Sequence, residues 1–574
     1  MQTKTEQPQQ QPIVDLSPLL STPLPWMICM IGFLLILATV LDSQSGRNKR
    51  DARFATPREV RKARRRGLKQ IRDRKVDECA LSLGSDRKLI LTDCQPGISV
   101  IGASGYGKTL SIVDPCITDA LQQEMTCIIY DIKGLLQKRH AAHAHRLGYQ
   151  QYFFCPGKDY TDSLNLLDFI PEHSGSKEAL ELAKTINANF EVPGSRKDGF
   201  FGPQGDSLLK TVFLLAKSHV YQDLVSAWGF LSLEELPQRL LAAHQYGLFD
   251  LGGDLDFWAN QAALGLRSVS KAEKTAGGIV GTAVTNFQAL MDASVIPAIT
   301  QSSIPLDLPS KQIVWVQIDE NAESTTAPLC AAVIHMLVRR NLNAEVNRDR
   351  PLFLCLDEFT SIRLPDIERW INLFREYGLC CLLSYQSDAQ INLRYTRDHA
   401  MSILSSLGTS IHFRTGHPAT DKSLSESLGT VTEIYKTHSR GYSRSGGSHN
   451  QSEQRQKASL ITSDEINGLG RGECLIQSPG WQQRAYRLKV PVNEADVAMQ
   501  KADKALWYSH VHPFLRLCHA SRDHGITPER IVSERADIAE SMLPTAETLD
   551  KLGKSKELSE RKAEVNAICT EGGA

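Results

Sequence analysis

The sequence predicts an α/β protein: a parallel sheet that carries a phosphate-binding loop, is interrupted by an all-α insertion, and is preceded by one N-terminal transmembrane helix. Three observations predict it. Gly102-Ala-Ser-Gly-Tyr-Gly-Lys-Thr109 fits the pattern G-x-x-x-x-G-K-[ST] at every fixed position. Short apolar strands alternate with helical segments before residue 175 and resume after 305, with helical periodicity alone between them. Trp26–Leu41 is apolar and uncharged, and with Pro25 it is just long enough to cross a bilayer as a helix.

A chain of 574 residues exceeds what one hydrophobic core organises, so several domains are expected. The formal net charge of zero conceals an asymmetry, because Arg and Lys crowd Arg47–Lys75 against only Asp51, Glu59 and Asp73. The 13 cysteines are scattered, many inside apolar strands, with no paired metal spacing, which argues for a reducing cytosol and against a disulfide or zinc framework.

In chain order, residues 1–24 are rich in Gln and Pro and poor in charge, the composition of a disordered leader. The transmembrane helix is expected over 25–41. No positive n-region precedes it and no small-residue cleavage site follows, so a retained anchor is favoured over a cleaved signal or a buried core helix. The basic juxtamembrane segment 42–78 places the bulk of the chain in the cytoplasm by the positive-inside rule. Its cations suit anionic lipid headgroups, nucleic acid, or a merely topogenic role.

Gly97–Ile101 reads as a buried strand feeding the Gly-rich loop, and the run after Lys108 has helical spacing that Pro115 should bend or delay. In such a loop backbone N–H groups approach phosphate oxygens, and the following helix N-terminus favours an anion. Gly102, Ala103, Ser104, Gly105, Tyr106, Gly107, Lys108 and Thr109 are therefore the candidate ATP-binding residues, with Lys108 on the β/γ-phosphates and Thr109 on Mg2+.

Strands are expected at Thr126–Tyr130 and Gln151–Cys155, with a helix over 136–147. Helical segments follow at 177–189, 206–219, 233–244, 255–269 and 277–291, forming the all-α insertion 175–305. Strands resume at Gln312–Gln317, Leu352–Leu356, Leu379–Ser384 and Ser410–Phe413, so one ATPase domain comprises 79–174 and 306–492. The Ser/Gly/Arg-rich stretch 432–456 reads as a flexible surface loop, and 493–574 as a charged helical tail.

Leu352–Leu356 ends in Asp357-Glu358, an apolar strand running into two carboxylates. In a phosphate-loop ATPase Asp357 holds Mg2+ through water and Glu358 polarises the attacking water. The strand 379–385 ends at Gln386, placed either to sense the γ-phosphate or simply to be solvated. Arg375 precedes that strand; an exposed Arg there serves as an arginine finger to a neighbouring subunit or makes a surface salt bridge.

Together these motifs resemble the coupling proteins of bacterial type IV secretion and conjugation, the TraG/TraD-like membrane ATPases of the FtsK/HerA group. Ala52–Pro57, Asp131–Gly134, Asn165–Asp168, Asp198–Phe201 with Asp206–Leu215, Leu356–Phe359, Arg375–Gly378, Ser384–Gln386 and Ser463–Ile466 match its segments in order over about residues 50–490. The resemblance implies a RecA-like ATPase domain with an inserted all-α domain, anchored in the inner membrane and assembled as a homohexamer. It further implies sequence-nonspecific DNA binding, recruitment of relaxase, relaxosome or effector protein, and contact with secretion channel components. By the same resemblance Lys108, Glu358, Gln386 and Arg375 are catalytic and Thr109 and Asp357 hold the metal. Ile132 and Leu166 replace two customary prolines, Tyr106 stands where a small residue is usual, and one membrane span is present where many members have two. The competing readings are an FtsK/HerA-like DNA pump and a membrane cargo receptor that binds nucleotide without turnover.

Overall fold

A computed structural model describes residues 51–172, 175–191, 201–250, 255–443, 446–520 and 527–553. The expected leader and membrane-spanning segment lie outside the described residues. The described chain divides into two units: Phe54–Ser427 with the residues from Ile461 onward, and 51–53 with 428–460.

The larger unit begins with a helix over Pro57–Asp73, started by a capping box in which Thr56 and Glu59 satisfy each other's free backbone donors. It packs on a short antiparallel hairpin, β1 (Leu81–Ser82) with β2 (Ile90–Leu91). The main sheet then collects seven parallel strands: β3 (Ile98–Ile101), β4 (Thr126–Tyr130), β5 (Gln150–Phe154), β6 (Gln312–Val316), β7 (Leu352–Leu356), β8 (Leu379–Tyr385) and β9 (Thr409–His412). In the smaller unit β10 (Thr430–Ser443) pairs with β11 (Gly446–Ser459). The chain then adds β12 (Glu473–Gln477) and β13 (Ala485–Lys489) antiparallel to the main sheet edge.

The sheet order is β13-β12-β9-β3-β8-β7-β4-β6-β5. Strand β4, from before the helical excursion, pairs with both β6 and β7 from after it, so the two halves make one sheet. Strands β3, β4, β7 and β8 are buried along their whole length, which is why they read as continuous apolar runs rather than alternating ones. Alternate residues nonetheless face different cores: Ile128 and Tyr130 join one, Cys127 and Ile129 the other. The first core also holds the buried helix Glu323–Asn341 and the helices of the insertion.

Residues 176–190, 201–218, 224–231, 236–245, 257–262, 264–268, 273–288 and 296–299 are helical, around buried Phe213, Phe230, Phe249 and Phe287. The tail folds back on both parts. Asp503 receives two 2.8 Å bonds from Arg146, and buried Trp507 lies against Phe153 and Tyr160 at 5.5 and 5.6 Å between ring centroids. Further on, helix Pro528–Met542 packs on helix Leu224–Leu231 of the insertion, where Arg535 pairs with Asp223 at 3.3 Å and covers the Tyr221 ring. A cleft of about 1190 Å3 lies where loop 157–163 meets these tail helices, away from the Gly-rich loop.

One expectation needs correction. The stretch 432–456 is not a loop but most of a long hairpin, paired in register from Thr430 with Ser459 to Ser443 with Gly446. Backbone pairing needs no apolar side chains, and Thr430-Val-Thr-Glu-Ile-Tyr-Lys-Thr437 is rich in residues that suit a pleated strand. The Ser/Gly composition had masked that signal.

Candidate nucleotide site

Three strand ends build the site. β3 delivers Gly102–Thr109, β7 delivers Asp357 and Glu358, and β8 lies between them and delivers Gln386. Because the strands are parallel, all three C-terminal ends open at one sheet edge. The loop is fixed on both sides: Gly102 N–H donates to the Tyr385 carbonyl at 3.3 Å and Ala103 N–H to the Arg414 carbonyl at 2.8 Å. Gly107 sits at φ +104, a left-handed conformation that turns the chain into the next helix without a Cβ penalty. Ser104 and Gly105 are exposed, leaving the loop's outer face open to a ligand.

After Lys108 the chain makes a π-helical turn, Thr109–Val113, before the regular helix Asp114–Gln122, with Pro115 in its first turn. Proline lacks the N–H that an uninterrupted α-helix would donate back to residue 111, so the wider turn absorbs the missing bond. Thr109 is half-buried at the mouth of this turn.

Lys108 is buried, and its ammonium donates to the Gly102 carbonyl. Burial lowers its pKa, while Glu358 and Asp357 pull in the opposite direction. Asp357 is pushed up to about 7, chiefly by burial and then by Asp131, which ends the neighbouring strand β4. Asp131 is itself raised by burial, although its carboxylate accepts the N–H groups of Lys133 and Leu136. The nearby Ser384 hydroxyl acts in the opposite direction, lowering it. A half-buried carboxyl crowded by a second one is a site that a divalent cation relieves. Asp357 with the Thr109 hydroxyl offers hard oxygen donors suited to Mg2+.

Glu358 takes a left-handed backbone, φ 56 and ψ 51. For a residue with a Cβ this costs of order 1 kcal/mol or more and persists where the surroundings impose it. Here they do: its carbonyl accepts Ser361 Oγ–H at 2.7 Å, and its carboxylate accepts Gln386 Nε2–H at 3.0 Å. Gln386 is therefore tied to Glu358 rather than merely solvated. Arg375 lies elsewhere. It is exposed at the opposite end of β8, about 23 Å from Gln386 along the seven-residue strand. It has no ion-pair partner among the described residues, so the surface salt bridge is not made there. From that edge it cannot reach the phosphate loop of its own chain.

One contact has no counterpart in the sequence reading. Arg414, just past β9, donates through Nη1 to the Tyr106 hydroxyl at 2.7 Å and through Nε to Asn467 Oδ1 at 3.0 Å. Tyr106 also receives the Gly472 N–H on its carbonyl at 3.0 Å. The unusual Tyr in the loop is thus a brace to β9 and to the segment before β12. A cation directly after the expected strand 410–413 was the available signal, but nothing in sequence places that strand beside β3.

The family described as Type IV secretory system Conjugative DNA transfer matches residues 54–523. The chain belongs to that family. The matched residues include the Gly-rich loop and the Asp-Glu strand end that meet at this sheet edge. Among solved structures, the chain is similar to the bacterial conjugative coupling protein TrwBdeltaN70 in its unbound form. That match has 15% identity and a TM-score of 0.53, and covers 74% of this chain and 92% of that one. It is similar also to plasmid coupling protein TrwB in complex with ADP and Mg2+, at 16% identity and TM-score 0.53, covering 78% and 95%. The TrwB complex with the non-hydrolysable ATP analogue ADPNP gives 15% and 0.52, covering 78% and 96%. At such identity the likeness is one of fold. Comparison with curated protein sequences gave no match.

Proposed function

We propose that this member of the conjugative DNA transfer family is an ATP-hydrolysing coupling protein of the inner membrane, which recruits DNA–relaxase or protein substrates to a type IV secretion channel. The observation that carries the reading is the convergence of Lys108, Asp357, Glu358 and Gln386 at one sheet edge, with Gln386 bonded to Glu358. ATP binds through the backbone of Gly102–Thr109, with Lys108 exchanging its Gly102 carbonyl for β/γ-phosphate oxygens. Mg2+, when bound, screens phosphate charge, and Asp357 and Thr109 are the residues that hold it. Glu358 orients water for attack, and Gln386 reports occupancy of the γ-position by exchanging its bond to Glu358. Arg375, exposed on the opposite edge, completes the site of a neighbouring copy, which requires a ring such as a homohexamer. The solved TrwB complexes with ADP and Mg2+ and with ADPNP support the nucleotide and metal assignment.

The test is ATP hydrolysis by the full chain with and without single- and double-stranded DNA, beside Lys108→Ala and Glu358→Gln. Turnover that rises with DNA and is lost in both variants is expected. Tight ATP binding without turnover under every DNA condition refutes the motor and leaves a nucleotide-binding receptor.

A further inference from the structure

The helix Pro57–Asp73 divides its residues cleanly between two faces. Ala63, Gly67, Gln70 and Ile71 are buried. Gly67 lets the helix axis approach β2 so closely that a Cβ there would stand 2.5 Å from Ile90 Cγ2, and Gln70 bonds Asp93 at 2.7 Å. On the far face Arg58, Lys62, Arg65 and Lys69 are all exposed. Their spacing of four, three and four residues places them within about 60° of arc and along about 17 Å of helix, diametrically opposite the buried face. None of the four has an ion-pair or hydrogen-bond partner among the described residues.

The helix holds only two acids, and both are engaged. Glu59 caps the helix start and pairs with Arg484, while Asp73 pairs with Arg72. Three cations on the flanks of the helix have contacts: Arg61 donates to the Pro57 carbonyl, Arg64 donates to the Arg87 carbonyl, and exposed Arg66 pairs with Asp93. The four outward residues are cations with neither an acid nor a carbonyl partner among the described residues, on a helix whose rigidity comes from its docking. The sequence runs from the apolar stretch ending at Leu41 to this helix in about fifteen residues.

We propose that the Arg58, Lys62, Arg65 and Lys69 face is a docking surface for anionic phospholipid headgroups, which fixes the orientation of the ATPase domain against the bilayer. The proposal rests on the reading of 25–41 as a membrane anchor. A row of cations on a straight, preformed helix lies flat on a sheet of phosphates without ordering any further chain, and each charge adds to the attraction. Lipid is favoured over nucleic acid because the chain is led to the bilayer by its own preceding segment and because the face has no aromatic side chain to stack on bases.

The test uses the full chain in nanodiscs of phosphatidylcholine alone or with about one-third phosphatidylglycerol. Acylation of Lys62 and Lys69 is followed by mass spectrometry, with exposed Lys271 of the insertion as the reference. In anionic discs both lysines should be acylated about fivefold or more slowly while Lys271 is unchanged, and Arg58→Gln with Arg65→Gln should restore most of the rate. Equal rates in the two kinds of disc overturn the proposal. Slowing that appears on adding duplex DNA and not on adding anionic lipid also overturns it and gives the face to nucleic acid. A chain that fails to enter discs refutes the anchor reading instead. The face is then read by flotation on anionic vesicles, where absence of salt-sensitive binding overturns the proposal.

Discussion

Replacing Asp357 by Asn should stabilise the nucleotide-free protein, by an amount that grows from about pH 4 to about pH 7 and is constant above. The carboxyl is held at about 7 against an ordinary value of 3.8, by burial first and by Asp131 second. A carboxyl raised in the folded state favours folding while it stays protonated, fully so below the unfolded value near 3.8. That contribution is lost progressively as pH rises from about 3.8 and is gone above about 7, where the folded protein carries the partly buried anion. Three pKa units correspond to at most about 4 kcal/mol, and the part of the side chain still open to solvent reduces this to about 1–2 kcal/mol. Asn keeps the shape and removes the charge. Thermal unfolding at pH 4, 5, 6, 7 and 8 should therefore show the variant gaining on the parent steadily from pH 4 to pH 7 and holding that advantage at pH 8, with little difference at pH 4. Mg2+ with nucleotide should stabilise the parent and not the variant. Equal stability at pH 8, or an advantage that grows towards acid, would refute the argument that burial and Asp131 destabilise the anion.

Three other outcomes follow from contacts in the fold. Gln386→Ala removes the 3.0 Å bond to Glu358; ATP affinity should change little while turnover falls about tenfold or more, measured as KM against kcat. Arg535→Ala leaves Asp223 buried without its cation and should cost about 3 kcal/mol, read as earlier proteolysis of the 528–542 helix; Asp223→Asn with Arg535→Met should recover most of it. Gly67→Val forces the Pro57–Asp73 helix off Ile90 and Thr92 and should cost about 1–3 kcal/mol in denaturant unfolding, whereas Lys69→Gln on the opposite face should cost almost nothing.

Much of the sheet was legible because its strands are short, wholly buried and bounded by turn residues. The spans 126–130 and 352–356 agree residue for residue with β4 and β7, and the other expected strands agree within one or two positions. The helix Glu323–Asn341 was not legible, since burial of nearly its whole surface removes the amphipathic period and Pro328 interrupts it. Nor were β12 and β13, which alternate weakly and are strands only because β9 offers an edge. The segment 255–269 reads as one helix but breaks into 257–262 and 264–268.

By itself the sequence determined the local chemistry: a loop whose glycines and Lys108 suit a phosphate ligand, a strand that ends in Asp357-Glu358, and a cluster of cations after an apolar run. These are decided by neighbours along the chain, where sterics and periodicity act over a few residues. The tertiary structure alone decided that β8 inserts between β3 and β7, so that Gln386 meets Glu358 and Arg375 falls at the far edge. It alone paired Arg414 with Tyr106, raised Asp357 by desolvating it and bringing Asp131 near, and folded the tail across the insertion. Those contacts join residues tens to hundreds of positions apart, and their energies exist only once a common core has removed water from between them.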